Sequence, residues 1–405
     1  MAAIELTWLE SAWTHYVAMA RRPCESVLGD TLFPHYTEKG RWVYLDVGAT
    51  TNGNIGTYDH GNWTAGFWCG VQWLVALDRP GKNHIRMISE CCAVLESRSN
   101  DSTTHDLGFL FYPSFVLGYQ LGFLRGKAVP LMAAEMVARR FNERGAYIQA
   151  FGPIGASTLD GTSTVDTMMN LPLLWWAAST GTDGRLYEVA IRHARTTAAH
   201  FFRSDGSLYH LVRFDPQNGR VVHRGTFQGA TDSSCWSRGQ AWGVAGFAWA
   251  FAATGETSFL RAADIAAGYF EAHLPPSGIP PWDFAEAGDV PLDSSAAAIA
   301  VVGYLILAEI HENRDARRSY AVLAEQLLRG LSHCINSDPH VHGILMHSCY
   351  SVPHRVGQHA SVSWGNFYYG LALALATGRI SVSVLLGRAR RRPSALAGVV
   401  GKACR

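Results

Sequence analysis

The sequence predicts an all-α fold, an (α/α)6 barrel of six helical hairpins, with an inner ring of apolar helices and an outer ring of amphipathic ones. Three observations carry it. Six stretches mix small and aromatic residues with almost no charge. Six others alternate with them and show helical spacing of apolar residues among many charges. Three of the apolar stretches end in the same Thr-Gly pair, Thr180-Gly181, Thr254-Gly255 and Thr377-Gly378. A helix that is apolar all round belongs inside, and an amphipathic one covers it with its polar face to water. Glycine just past a helix supplies the left-handed residue that ends it.

In chain order, residues 6–20 form the first amphipathic segment and 63–77 the first apolar one. The series then runs 85–97 outer, 105–121 inner, 131–142 outer, 165–178 inner, 185–202 outer and 237–254 inner. It finishes with 258–273 outer, 294–307 inner, 315–333 outer and 363–377 inner. Helices in this order make hairpins whose ring buries a continuous core. The clearest strand signal is in residues 207–223, which read as a short hairpin turning at Asp215-Pro216-Gln217-Asn218-Gly219. It falls between an outer and an inner helix, where a barrel carries a loop over its mouth.

Composition agrees. Of 405 residues, 48% are hydrophobic and 17% charged, against roughly 25% charged in an ordinary soluble domain, so much of the chain is interior. A net charge of +1 argues against a nucleic acid or an anionic membrane as partner. No uncharged stretch is long enough to span a bilayer. The 13 Trp and 15 Tyr serve cores and also stack on sugar rings. The eight Cys show neither metal-ligand nor disulfide spacing. The start of the chain has no basic, apolar leader, so free thiols and a cytoplasmic location are expected.

Two aspartates lie in apolar, aromatic surroundings: Asp106 in His105-Asp106-Leu107-Gly108-Phe109, and Asp166 in Val165-Asp166-Thr167-Met168-Met169-Asn170-Leu171. Partial burial raises a carboxyl's proton affinity and suits it to acid/base work on sugars. The plain alternative is that each caps a helix. In a closed ring, however, the N-termini of the inner helices share one end, so Asp106, Asp166, Arg238, Ser294 and Ser363 converge.

Asn62-Trp63-Thr64-Ala65-Gly66-Phe67-Trp68, the two aspartate motifs, Ser237-Arg238-Gly239-Gln240-Ala241-Trp242, Pro281-Trp282-Asp283-Phe284 and Asp293-Ser294-Ser295-Ala296-Ala297 follow in order. Together they resemble the unsaturated glucuronyl hydrolases, glycoside hydrolase family 88, over roughly residues 8–378. The resemblance implies the (α/α)6 barrel. It also implies hydrolysis, by hydration of the C4=C5 double bond, of oligosaccharides that end in a 4,5-unsaturated uronic acid. Asp166 matches the family's acid/base and Asp106 its second essential aspartate. Trp63, His105, His210, Gln228, Arg238 and Trp242 are the implied substrate contacts. No metal and no organic cofactor is expected, and the protein is expected to be a monomer or weak homodimer.

Plain readings stand beside these. Trp242 lies seven residues from Trp249, as a core stripe does; His210 reads equally as a surface strand residue; Arg238 reads as an ion-pair partner of Asp232 or Glu256. Competing functions are an unsaturated rhamnogalacturonyl hydrolase, a sugar epimerase or polysaccharide lyase on a similar helical ring, and a non-catalytic carbohydrate-binding protein. Two departures from the family occur: Asn366 stands where relatives usually have Asp, and Gly370 near a usual Glu. The expected domain is 1–378. Residues 379–405, with seven Lys or Arg and no acid, read as a basic, disordered tail.

Overall fold

The computed structural model describes residues 6–22, 31–48, 61–155, 159–181 and 184–388. In chain order its elements are α1 (Leu6–Ala20), β1 (Leu32–Glu38), β2 (Arg41–Asp46), α2 (Ala65–Asp78), α3 (Lys82–Leu95) and α4 (Leu107–Phe111). A π turn (Tyr112–Val116) separates α4 from α5 (Leu117–Gln120), and α6 (Ala128–Arg139) follows. Next come β3 (Phe141–Asn142), β4 (Tyr147–Ile148), β5 (Thr162–Thr164), a 3-10 turn (Val165–Met169), α7 (Leu171–Ser179) and α8 (Gly184–His200). The chain continues through β6 (Leu211–Phe214), β7 (Val221–Gly225), α9 (Ser237–Thr254), α10 (Thr257–Ala272), α11 (Ser294–Ile310) and α12 (Arg314–Ser332), then α13 (Ser363–Ala376) and α14 (Val382–Leu385).

The apolar helices close a ring. α2 packs on α4 and the π turn, α4 on α7, α7 on α9, α9 on α11, α11 on α13, and α13 again on α2. The amphipathic helices α3, α6, α8, α10 and α12 each lie outside an inner neighbour, and α1 covers the seam between α13 and α2. This is the (α/α)6 barrel the sequence predicts. Every residue of α9 from Ser237 to Ala252 is buried, whereas α12 buries only Ala324, Leu327, Leu328 and Leu331. Small residues let the inner helices approach: a Cβ on Gly303 would stand 2.9 Å from Ala245 Cα. All three Thr-Gly stops are realised, with φ +78° at Gly181, +74° at Gly255 and +68° at Gly378.

Three features differ from the sequence reading. The second inner helix is interrupted by the π turn, where Pro113 lacks the N–H a regular helix would use. Strands β1 and β2 form an antiparallel hairpin that the sequence did not reveal. Its turn sets Lys39 and Gly40 at φ +50° and +75°, as a tight hairpin turn requires. Pro34 sits at a register shift, the place in a sheet where a missing N–H is tolerated, and it breaks the alternation a reader looks for.

The third difference is a correction. The chain does not stop docking at Gly378. Ile380, Val382, Val384, Leu385 and Leu386 are buried, the Tyr112 hydroxyl donates to the Leu385 carbonyl, and Arg388 Nη2 donates to the Ala252 carbonyl at 2.6 Å. Gly387 lies against Trp176, Ser179 and Gln120. This segment therefore covers the end of the barrel where inner helices finish, and Arg388 satisfies an orphan carbonyl at the end of α9. Residues 389–405 of the expected tail lie outside the described residues. Among the described residues no helix is long and apolar enough to cross a membrane.

Candidate active site

Asp166 and His210 are brought together by a strand ladder. In the sheet β5-β6-β7, Thr164 pairs with Leu211, and the Val165 N–H donates to the His210 carbonyl at 2.9 Å. The chain then turns into the 3-10 segment, so Asp166 projects beside the imidazole. His210 Nε2 lies 3.4 Å from Asp166 Oδ2, an oxygen enclosed by protein and without a closer hydrogen-bond donor. His210 Nδ1 accepts the Phe227 N–H at 3.1 Å and is 3.4 Å from the Gln228 nitrogen. An accepting Nδ1 fixes the neutral tautomer with its proton on Nε2, aimed at Asp166. His210 is therefore a buried residue, not a surface strand residue.

Asp106 stands at the N-cap position of α4 but makes no side-chain cap. Thr104 Oγ1 donates to its Oδ2 at 3.2 Å, and His105 Nε2 lies 3.2 Å from its Oδ1. His105 Nδ1 meets Thr167 Oγ1 at 2.8 Å, which ties the Asp106 turn to the Asp166 turn. A second tie is Asn170, whose Oδ1 accepts the Phe109 N–H at 2.8 Å. The helix-cap reading of the two acids does not describe this geometry.

The electrostatics correct one expectation. Burial is the largest influence on Asp166 and raises its proton affinity, but the facing His210 and nearby His105 outweigh it and leave the carboxyl below its ordinary value. Asp166 is thus a carboxylate rather than a neutral acid at neutral pH. Burial pushes His105 down to about 3, against the attraction of Asp166 and with the help of Arg140 and His210. It is a neutral imidazole at neutral pH.

Arg238 is buried and ion-paired, but not with Asp232 or Glu256. Its Nη1 is 2.5 Å from Asp293 Oδ2. Its Nη2 donates to Gln228 Oε1 and to the Tyr350 carbonyl, both at 2.7 Å, and its guanidinium lies 4.4 Å from the Trp236 ring. Glu256 pairs with Arg195 instead. Both terminal nitrogens of Arg238 are thus held by protein, which ties the 228 loop and the 350 loop to the start of α9. Trp63 donates from Nε1 to the Tyr350 hydroxyl at 3.1 Å and lies 4.9 Å from Trp364. Phe109 joins it, at 5.5 Å, to Trp242 at 5.2 Å. Trp242 is 1% exposed, so its ring is covered by protein, as the core reading expects, although its Nε1 has no hydrogen-bond partner among the described residues.

One continuous chain of contacts therefore runs through all eight candidates: Asp106 to His105, His105 through Thr167 to Asp166, Asp166 to His210, His210 to Gln228, Gln228 to Arg238, and Arg238 through Tyr350 to Trp63 and on to Trp242. Four residues with no role assigned from sequence belong to it. Asp293 caps α11 by accepting from the Ser295 N–H and holds Arg238. Tyr350 and Trp364 build the aromatic wall. Asp283, fully buried, accepts from the Ala230 N–H at 2.9 Å and from Ser234 Oγ at 2.6 Å, fastening the loop that feeds His210 its backbone donors. The signal for Asp283 and Asp293 was their place in the ordered motifs, but a carboxylate beside a helix start, as Asp293 is, reads first as a cap. Among the described residues, no three His, Cys, Asp or Glu side chains converge as a metal ligand set.

No family model matches the chain. Curated relatives do. An unsaturated glucuronyl hydrolase of Bacillus sp. (strain GL1) is 32% identical over 326 residues, 78% of this chain and 86% of the relative. An unsaturated chondroitin disaccharide hydrolase of Streptococcus pyogenes serotype M1 is 31% identical over 80% of this chain and 84% of that protein. Among solved structures, the unsaturated glucuronyl hydrolase of Bacillus sp. GL1 superposes with a TM-score of 0.82 at 29% identity, covering 90% of this chain and 96% of that one. An unsaturated glucuronyl hydrolase specific for heparin superposes at 0.81 with 26% identity. These relatives are hydrolases and give no support to the epimerase or binding-protein readings. With sequence similarity over most of the barrel and a matching fold, the chain belongs to the unsaturated glucuronyl hydrolases, a family of glycoside hydrolases.

Proposed function

We propose that this chain removes a 4,5-unsaturated uronic acid from the non-reducing end of lyase-generated oligosaccharides, with Asp166 as acid/base and Asp106 as its partner. The observation that carries the reading is the enclosed Oδ2 of Asp166 facing the Nε2 proton of His210. A related solved structure, 29% identical, holds the oligosaccharide dGlcA-Glc-Rha-Glc, which supports an acidic, unsaturated sugar as the ligand class.

The C4=C5 bond next to the ring oxygen is an enol ether. Asp166 donates a proton to C4, and the positive charge that forms is shared by C5 and the ring oxygen. Water adds to C5 while the Asp166 carboxylate takes its proton, so the side chain ends as it began. The C5 hemiketal opens and releases the remaining sugar. Asp166 must first be protonated, and the facing His210 opposes that. A bound uronate brings a like charge and excludes water, and both raise the carboxyl's proton affinity. Asp106, reached through His105 and Thr167, adds to the same effect. Trp63 and Gln228 line the path to the bond, and Arg238 keeps the two loops in register. The six described cysteines are buried and none is in a disulfide, which fits the reducing, cytoplasmic compartment proposed here.

The test is optical. Mixing the protein with an unsaturated chondroitin disaccharide should abolish the ultraviolet absorbance of the C4=C5 bond. Asp166→Asn should slow that loss by about 10²-fold or more, because an amide has no suitably acidic proton. Persistence of the absorbance with the parent chain, or activity within threefold of parent in the variant, contradicts the reading.

A further inference from the structure

A second cavity, of about 360 Å³, lies under the β1–β2 hairpin, against α1, α2 and the start of α13. None of the eight active-site candidates lines it. Its volume is that of a small-ligand site, and its chemistry is one-sided. Among the described residues, no Asp or Glu lines it, while Arg22 and Arg41 do.

The two arginines are exposed and only partly engaged by protein. Arg22 uses Nη1 on the Asp338 carbonyl at 3.0 Å, and Arg41 Nη1 lies 3.2 Å from His342 Nε2. The Nε and Nη2 groups of both have no partner among the described residues. Asn366 Oδ1 accepts from the Leu345 N–H at 2.8 Å and from Ser361 Oγ at 3.0 Å. These bonds fix the amide, and its Nδ2 makes no hydrogen bond among the described residues. Ser363 is 2% exposed, lines the cavity, and its Oγ has no hydrogen-bond partner among the described residues. A buried hydroxyl without a partner is costly, and a ligand acceptor would relieve it.

The cavity is also built rather than incidental. The hairpin is seated by His342 N–H donating to the Gly40 carbonyl at 2.8 Å and by Trp42 N–H donating to His342 Nδ1 at 3.1 Å. This seating places the half-buried Trp42 beside Arg41. Guanidinium pairs recognise carboxylate and sulfate oxygens, and an indole face next to them suits a sugar ring.

We propose that this cavity is a second carbohydrate site, which holds one acidic sugar unit with its carboxylate or sulfate on Arg22 and Arg41 and its ring on Trp42. That the site takes an anion rests on the cavity alone; that the anion is carried on a sugar rests on the proposed function.

The experiment titrates the full-length protein with a saturated chondroitin 6-sulfate tetrasaccharide, which has no C4=C5 bond to react. Turnover of an unsaturated chondroitin disaccharide is followed in parallel. The proposal expects binding that does not compete with turnover. It expects that Arg22→Ala/Arg41→Ala weakens binding at least about tenfold, the scale of charged hydrogen bonds, with turnover within twofold. Trp42→Ala should weaken tetrasaccharide binding but not that of inorganic sulfate, titrated as a separate arm. No binding, competitive inhibition, or equal affinity in the double variant overturns the site. Sulfate binding as tightly as the tetrasaccharide, with Trp42→Ala without effect, overturns the sugar assignment. Binding as expected alongside absent turnover would count against the proposed function and not against this site.

Discussion

His210 Nε2 stands 3.4 Å from Asp166 Oδ2, and the backbone sets that approach, since the Val165 N–H is bonded to the His210 carbonyl. Removing the imidazole should therefore change the proton affinity of Asp166 without moving its backbone. In His210→Asn the carboxyl loses an influence that lowers its pKa, so its pKa rises. The alkaline limb of kcat/KM, where the acid is lost, should move to higher pH. The rate should fall about 10-fold to 100-fold from the loss of positioning. An unshifted limb would separate His210 from the acid/base group.

Asp283 acts one step further out, through the loop that supplies the His210 Nδ1 donors. An Asn side chain at 283 turns one of its oxygens into a donor, facing either the Ala230 N–H and Ser234 Oγ or the Ala285 N–H. Asp283→Asn should shift the pH profile in the same direction as His210→Asn, but less, and lower the melting temperature. A lower melting temperature with an unchanged pH profile would make Asp283 purely structural.

Arg238→Met should destabilise the chain by about 3–5 kcal/mol in chemical denaturation, because it leaves Asp293 buried and unpaired. Asp293 is fully buried. Were Arg238 mainly a substrate contact, the loss would appear in KM and stability would hardly change.

A chain ending at Gly378 should lose at least about 5 kcal/mol of stability. It gives up five buried apolar side chains, each worth roughly 1.5 kcal/mol or more. It also loses the Tyr112–Leu385 bond and the Arg379 bond to Glu10, 2.6 Å long. An unchanged denaturation midpoint would show that this segment contributes nothing to the barrel.

Stability should fall in mild acid. Burial pushes both His105 and His193 from 6.5 to about 3. Between those values the unfolded chain binds protons that the folded chain does not, so unfolding becomes more favourable as pH drops from about 6.5. Each histidine adds a slope of up to about 1.4 kcal/mol per pH unit. The decline should be blunted in His193→Gln, measured by melting between pH 7 and 4.

Much of the barrel was legible because its signal is periodic and repeated: apolar and amphipathic segments alternate, and Gly181, Gly255 and Gly378 mark three ends. The convergence of Asp106 and Asp166 followed from that repetition alone. What was not legible depends on contacts distant in sequence. Arg238 was matched to acids near it in the chain, whereas Asp293, 55 residues away, holds it. His210 looked like a strand residue because its burial comes from Trp236 and the 227 loop. The short apolar patch after Gly378 looked too small to dock, since nothing in its own sequence shows that the inner-helix ends offer it a socket.

The central claim is that Asp166 directs water to C5 and not to the anomeric carbon, and solvent labelling addresses it most directly. The reaction should be run in ¹⁸O water and separately in D₂O with an unsaturated chondroitin disaccharide, and the products read by mass spectrometry and NMR. Hydration predicts ¹⁸O at C5 of the opened uronate and deuterium at C4. Label at C1 with the double bond intact would be ordinary glycoside cleavage, and would contradict the mechanism even if the substrate class were right.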